Sequence, residues 1–160
     1  MKKIIYPLAA VLVIAVDQFT KYLVRSSMQP GDRIPVIGDW MSIYYVQNTG
    51  TAFSMFSGNK FVTLVLTSVL IIVCMVFIVQ ELKSRHFLVP LLLTFVVAGG
   101  LSNLIDRFTL GFVTDMISCG SFAVFNVADI FVTCGCILTV IAILTLYKDE
   151  DKKDPAEEAE

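Results

Sequence analysis

The chain has 160 residues, of which 56% are hydrophobic and only 16% charged, whereas an ordinary soluble domain carries roughly 45–50% apolar and about 25% charged residues. Lipid is therefore the expected solvent, and four spans of about 20 apolar residues each leave little chain for a second domain. The formal charge of -2 conceals an acidic end, since residues 148 to 160 hold three Lys and seven Asp or Glu and leave +2 for residues 1 to 147; no Lys and Arg cluster offers the basic face that nucleic acid requires, which excludes it as a partner.

Lys2 and Lys3 followed by Ile4 to Val16 imitate a secretory signal, but Asp17-Gln18-Phe19-Thr20-Lys21 replaces a cleavage site and Tyr22 to Val24 complete a spanning length. A retained first helix is predicted over residues 4–24. Asp17 and Lys21 are four apart with the acid first, which stacks them on one helical face. They are read either as an ion pair that makes two charges tolerable near lipid or as a device by which Lys21 steers a lipid phosphate or peptide carbonyl.

Residues 25–60 are too polar to span, and Pro30-Gly31-Asp32, Pro35 and Gly38-Asp39 mark turns. Trp40 to Val46 is aromatic and β-branched, and with the segment around Phe53 it predicts a small sheet on the outer membrane surface. Trp40, Tyr44 and Tyr45 suit the headgroup level.

Further spans are predicted over residues 61–80, 87–105 and 124–147. In the third, Gly99-Gly100 permits close helix packing; Asn103 and Asp106 share a face beyond it, and Asp106 with Arg107 reads as a helix-end charge pair or an orienting pair. In the fourth, Asn126 and Asp129 are three apart and point the same way into the bundle. The tail, residues 148–160, is charged, contains Pro155 and is expected to be disordered.

Of the four cysteines, Cys74, Cys134 and Cys136 lie in apolar runs where a thiol behaves as a small hydrophobe. With Cys119 the fourth and His86 the lone histidine, neither a disulfide framework nor a metal site is expected. The fold class is mainly α: a four-transmembrane-helix bundle, residues 1–147, with a small extracytoplasmic β-cradle between helices 1 and 2. Lipid cannot satisfy open backbone groups, which requires the spans to be helical. Four spans put both termini on one side, and seven Lys and Arg there against five on the other favour cytoplasmic termini.

Ionisable side chains at membrane depth ask for an explanation. Connectivity brings Asp17, Asp106, Asp115 and Asp129 to one depth, on the face that also carries Asn48 and Gly50. Asp129 has no basic neighbour in its own helix, and Asp115, in a loop, has no local cation. Two carboxylates forced close in a low-dielectric site hold one proton between them, which is the machinery of aspartic proteases. His86 lies on the opposite face, so a Ser or Cys nucleophile lacks a histidine base. A Ser-Lys pair of Lys21 with Ser54 or Ser102 remains open, as do a small transporter or proton/cation relay using the same aspartates and a noncatalytic scaffold.

Asp17-Gln-Phe-Thr-Lys21, Asn48-Thr-Gly-Thr-Ala-Phe-Ser54, Gly99-Gly-Leu-Ser-Asn-Leu-Ile-Asp-Arg107, Val113-Thr-Asp115 and Phe125-Asn-Val-Ala-Asp129, in this order, resemble lipoprotein signal peptidase, or signal peptidase II, over nearly the whole chain to about Tyr147. The resemblance implies a four-helix aspartyl endopeptidase of the bacterial inner membrane, with catalytic Asp115 and Asp129 near the outer leaflet. It implies supporting or substrate-contacting roles for Asp17, Lys21, Asn48, Gly50, Asn103, Asp106, Arg107 and Asn126. It further implies substrates that are lipid-modified prolipoproteins, cut before the modified cysteine, whose diacylglyceryl group enters laterally from the bilayer above a cradle of residues 25–60. Membrane lipids and globomycin-type inhibitors are the other implied partners, with no metal or organic cofactor. The stretch between Asp115 and Asp129, containing Cys119 and Gly120, is short for such a family.

Overall fold

A computed structural model describes residues 2–50, 60–82 and 87–150. Four helices, α1 (Lys2–Ser27), α2 (Lys60–Glu81), α3 (Leu88–Thr109) and α4 (Val127–Glu150), are joined by a three-stranded sheet of β1 (Arg33–Ile37), β2 (Met41–Asn48) and β3 (Val113–Cys119). Each helix contains a span long and apolar enough to cross a membrane. At 1.5 Å rise per residue, the 22 residues of α3 extend about 33 Å, against a hydrocarbon core of about 30 Å.

Helix α3 is the axis of the bundle. It packs against each of the other three helices, and its buried residues run from Val89 to Asp106. Val89, Leu92, Val96 and Val97 form its share of the core with Ile71 and Cys74 of α2 and Ala142 of α4. The outward faces carry exposed Leu8, Leu12, Phe19, Ile72 and Leu144, an arrangement stable only with lipid around it.

Chain direction puts the C-terminal ends of α1 and α3 and the N-terminal ends of α2 and α4 at the end of the bundle that bears the sheet. Pro30 and Gly31, the latter at φ +96°, make the turn out of α1, with the Asp32 N–H donating to the Gln29 carbonyl at 3.0 Å. That backbone suits Pro followed by a residue with positive φ. The antiparallel order is β1-β2-β3, with Val46 opposite Asp115 and Asn48 opposite Val113.

Two expectations are corrected. The sheet is not confined to the segment between helices 1 and 2, because its third strand comes from between α3 and α4. Asp115 consequently lies on β3 rather than in a loop; alternation in Val113–Cys119 is masked because four successive residues, Val113 to Met116, are buried. The segment around Phe53, Ser54 and His86 lies outside the described residues. Helix α3 continues to Thr109 and α4 starts at Val127, where residues 87–105 and 124–147 were expected, and α4 runs to Glu150 into the predicted tail.

Candidate active site

The start of α4 follows from its own sequence. Asn126 precedes the helix and accepts the Asp129 N–H on Oδ1 at 2.9 Å, while Asp129 Oδ2 accepts the Asn126 N–H at 3.2 Å. This reciprocal arrangement is a capping box with an acid in the third helical position. It delays the helix to Val127 and fixes the Asp129 side chain at the positive end of the helix dipole, where a carboxylate is favoured.

Asp115 and Asp129 line one cavity of about 460 Å3. Neither forms an ion pair among the described residues; asparagines hold them instead. Asp115 accepts Asn126 Nδ2 on Oδ1 at 2.7 Å and Asn48 Nδ2 on Oδ2 at 2.8 Å, and Asp129 Oδ1 accepts Asn103 Nδ2 at 2.8 Å.

Each carboxamide is locked by a donor that has no acceptor character, so its NH2 must face the acids. The Gly50 N–H holds Asn48 Oδ1 at 2.9 Å, Lys21 Nζ holds Asn103 Oδ1 at 2.8 Å, and the Asp129 N–H holds Asn126 Oδ1. Asn126 Nδ2 also donates to Asn103 Oδ1 at 3.2 Å.

Burial raises the Asp115 carboxyl to about 7, and the nearby Asp129 charge adds to the rise against the opposing hydrogen bonds from Asn48 and Asn126. Burial penalises the charged form, and a like charge penalises it again. A group at this value holds its proton below neutrality and releases it above.

Behind the cavity lies a second cluster that is sealed. Lys21 is fully buried and directs its ammonium to three acceptors: Asp17 Oδ2 at 2.7 Å, Asp106 Oδ2 at 3.3 Å and Asn103 Oδ1 at 2.8 Å. The Asp17–Lys21 pair expected from spacing forms. Lys21 does not face a lipid phosphate, because nothing of it is exposed. Asp106 turns away from its neighbour Arg107 and pairs with α1, through Lys21 and Arg25 at 3.8 Å, so the expected helix-end pair is absent. Arg107 instead donates to the Gly50 and Asn103 carbonyls at 3.3 and 3.4 Å and lines the cavity beside the two acids.

Ser102 donates its hydroxyl proton to Asp17 Oδ2 at 2.7 Å and accepts Gln18 Nε2 at 3.0 Å. It is fully buried, and Lys21 is engaged by two acids, so Ser102 is not held as a nucleophile. Sequence reasoning passed over Gln18, whose Nε2 also donates to Asp106 Oδ1 at 2.9 Å, and Arg25, which donates to Thr114 Oγ1 at 3.0 Å. A polar amide between Asp17 and Phe19 in an apolar span was the available signal for Gln18.

From the polar end the cavity continues past Phe122, Val124 and Phe125 and along α4 by Ile130, Val132 and Cys134. Cys134 lies five residues beyond Asp129, about 7.5 Å deeper at helical rise. The cavity therefore joins a polar acid pair to an apolar trough that descends toward the bundle middle. No group of three or more His, Cys, Asp or Glu among the described residues is arranged to hold a metal.

Comparison with known proteins assigns relatives to this geometry. A family model described as signal peptidase (SPase) II matches residues 9–145. The lipoprotein signal peptidase of Lactococcus lactis subsp. lactis (strain IL1403) is 35% identical over 147 residues, which is 91% of this chain and 97% of that protein. The lipoprotein signal peptidase of Streptococcus agalactiae serotype Ia is 34% identical over 152 residues, 94% of this chain and 96% of that one. A structure solved at 2.3 Å by the in meso method and described as a bacterial membrane enzyme superposes with a TM-score of 0.78 at 32% identity, covering 92% of this chain and 90% of the other.

Proposed function

This chain belongs to the signal peptidase II (lipoprotein signal peptidase) family, and on that premise we propose that it is an aspartyl endopeptidase with Asp115 and Asp129 as its catalytic pair. Family membership assigns it to the processing of lipoprotein signal peptides. The finer reading is that the substrate is a diacylglyceryl-modified bacterial prolipoprotein, cut before its lipid-modified cysteine. One observation carries the aspartyl reading: two carboxylates from different elements line a single cavity, each oriented by asparagine NH2 groups and neither in an ion pair among the described residues.

Asp129, in the first turn of α4 at the positive end of the helix dipole, is assigned the ionised role. Asp115 is assigned the protonated one. A water between them loses a proton to Asp129 as its oxygen bonds to the scissile carbonyl carbon. Asp115 gives its proton to the carbonyl oxygen, which yields a neutral tetrahedral diol. Collapse returns one diol proton to Asp115 and passes the Asp129 proton to the departing nitrogen as the C–N bond breaks. The products are a signal peptide with a new carboxyl group and a lipoprotein with a free cysteine amine. General acid–base catalysis of this kind is worth about 10²–10⁴-fold per positioned group.

The apolar trough along α4 suits the acyl chains, which then need not leave the bilayer. The same reading sets the enzyme in the inner membrane with cytoplasmic termini and the acid pair near the outer leaflet, and makes globomycin-type substrate mimics competitors for the cavity. The test is to incubate purified wild type, Asp115→Asn and Asp129→Asn with a lipid-modified prolipoprotein. Both variants are expected to stay folded and lose cleavage by roughly 10³-fold. Cleavage at the normal rate by either one overturns the pairing.

A further inference from the structure

The residue before each member of the acid pair has its backbone N–H taken by a buried aspartate. Asp106 Oδ2 accepts the Thr114 N–H at 3.0 Å, immediately ahead of Asp115. Asp17 Oδ1 accepts the Ala128 N–H at 2.7 Å, immediately ahead of Asp129. The two aspartates share the Lys21 ammonium, and all three side chains are sealed from the cavity, with 0 to 1% of their surface exposed.

We infer that Asp17 and Asp106, tied together by Lys21, are positioning residues that set where the acid pair stands, one arm reaching β3 and the other α4 through backbone amides. This inference rests on the catalytic reading of Asp115 and Asp129. The two acids are 14 residues apart in sequence, one on a strand and one in a helix, and Asn126 joins them on the cavity side through Asp115 Oδ1 and the Asp129 N–H. The two aspartate arms hold the backbone of both elements from behind. Lys21 is the only cation that contacts both arms among the described residues, and its third contact, to Asn103 Oδ1, turns the Asn103 NH2 to Asp129. One ammonium thus orients the pair through three routes, of which only the one through Asn103 reaches the cavity wall.

Charge arithmetic makes the arms separately removable. With Asp106 gone, Lys21 still has Asp17 at 2.7 Å; with Asp17 gone, it still has Asp106 at 3.3 Å. Neither single variant leaves a bare buried ammonium, the case that is severely destabilising. Asparagine at 106 keeps a side-chain oxygen able to accept the Thr114 N–H, whereas alanine keeps none.

The experiment measures kcat and KM of folded Asp106→Ala and Asp106→Asn on a lipid-modified prolipoprotein, beside wild type and Asp115→Asn. Since a misplacement of about 1 Å can lower a rate by about 10²-fold, Asp106→Ala is expected to lose roughly 10- to 100-fold in kcat with KM within about threefold. Asp106→Asn is expected to recover most of that loss. If Asp106→Ala does not fold, Asp17→Ala tests the other arm by the same kinetic split. Folded Asp106→Ala with kcat within twofold of wild type overturns the inference, as does an Asp106→Asn as impaired as the alanine variant. If Asp115→Asn remains active, the catalytic reading itself fails; if it is inactive while Asp106→Ala is fully active, only the anchoring fails.

Discussion

The sheet-bearing end of this bundle holds two carboxylate clusters that differ in one respect. Asp17 and Asp106 are sealed and both pair with the Lys21 ammonium, Asp106 also with Arg25. Asp115 and Asp129 face a cavity and receive only amide donors. The first arrangement pairs charge and holds backbone; the second leaves two carboxylates on a cavity wall without an ion pair among the described residues. The position of Lys21 thus separates the two clusters, and the proposed division between support and chemistry rests on that separation.

The largest effect that separates the clusters is on folding. Lys21→Met leaves Asp17 and Asp106 buried with the partly exposed Arg25, on Asp106, as the remaining ion-pair partner among the described residues, and breaking a buried pair in this way costs about 3–5 kcal/mol. Thermal unfolding of the purified protein is expected to shift to much lower temperature, while Asp115→Asn shows no comparable fall. Equal unfolding temperatures for the two would erase the distinction.

A smaller effect sharpens it from the packing side. A Cβ at Gly99 would lie 2.6 Å from the Ala128 carbonyl oxygen and 2.8 Å from Val132 Cγ2, so α4 must move. The Cβ of an alanine at Gly100 would meet side-chain atoms alone, Ile71 Cγ1 and Cδ1 at 3.0 and 3.1 Å and Thr67 Cγ2 at 3.8 Å, and a shift of Ile71 by a few tenths of an ångström relieves the contact. Gly99→Ala is expected to lower kcat by about tenfold or more, and Gly100→Ala to leave it within about twofold. The reverse order in an initial-rate assay would show that the seat of α4 on α3 does not govern Asp129.

Much of this was legible in the residues. Hydropathy gave four spans because lipid permits few alternatives, and the i,i+4 spacing of Asp17 and Lys21 gave their pair. Connectivity placed four aspartates at one end before any distance was known. What escaped was tertiary. Asp106 chose Lys21 and Arg25 on α1 over its neighbour Arg107, and Asp115 joined a sheet whose other strands lie over 60 residues earlier. Neither choice has a local signature. The start of α4 was placed three residues early because Val124 and Phe125 continue the apolar run; Phe125 bridges to Ile117 instead, and Asn126 caps.

The central claim is that Asp115 and Asp129 hold one proton between them. The pH dependence of kcat/KM for wild-type enzyme on a lipid-modified prolipoprotein tests it most directly. Asp115 must be protonated to donate, and its carboxyl is raised to about 7, so activity is expected to be full on the acid side of that value and to fall as pH rises through it. A second limb is expected at lower pH as the other acid takes up a proton, giving a bell. A rate that stays level from pH 5 to 9, taken as roughly two units either side of neutrality, would contradict a shared proton and with it the account given for the pair.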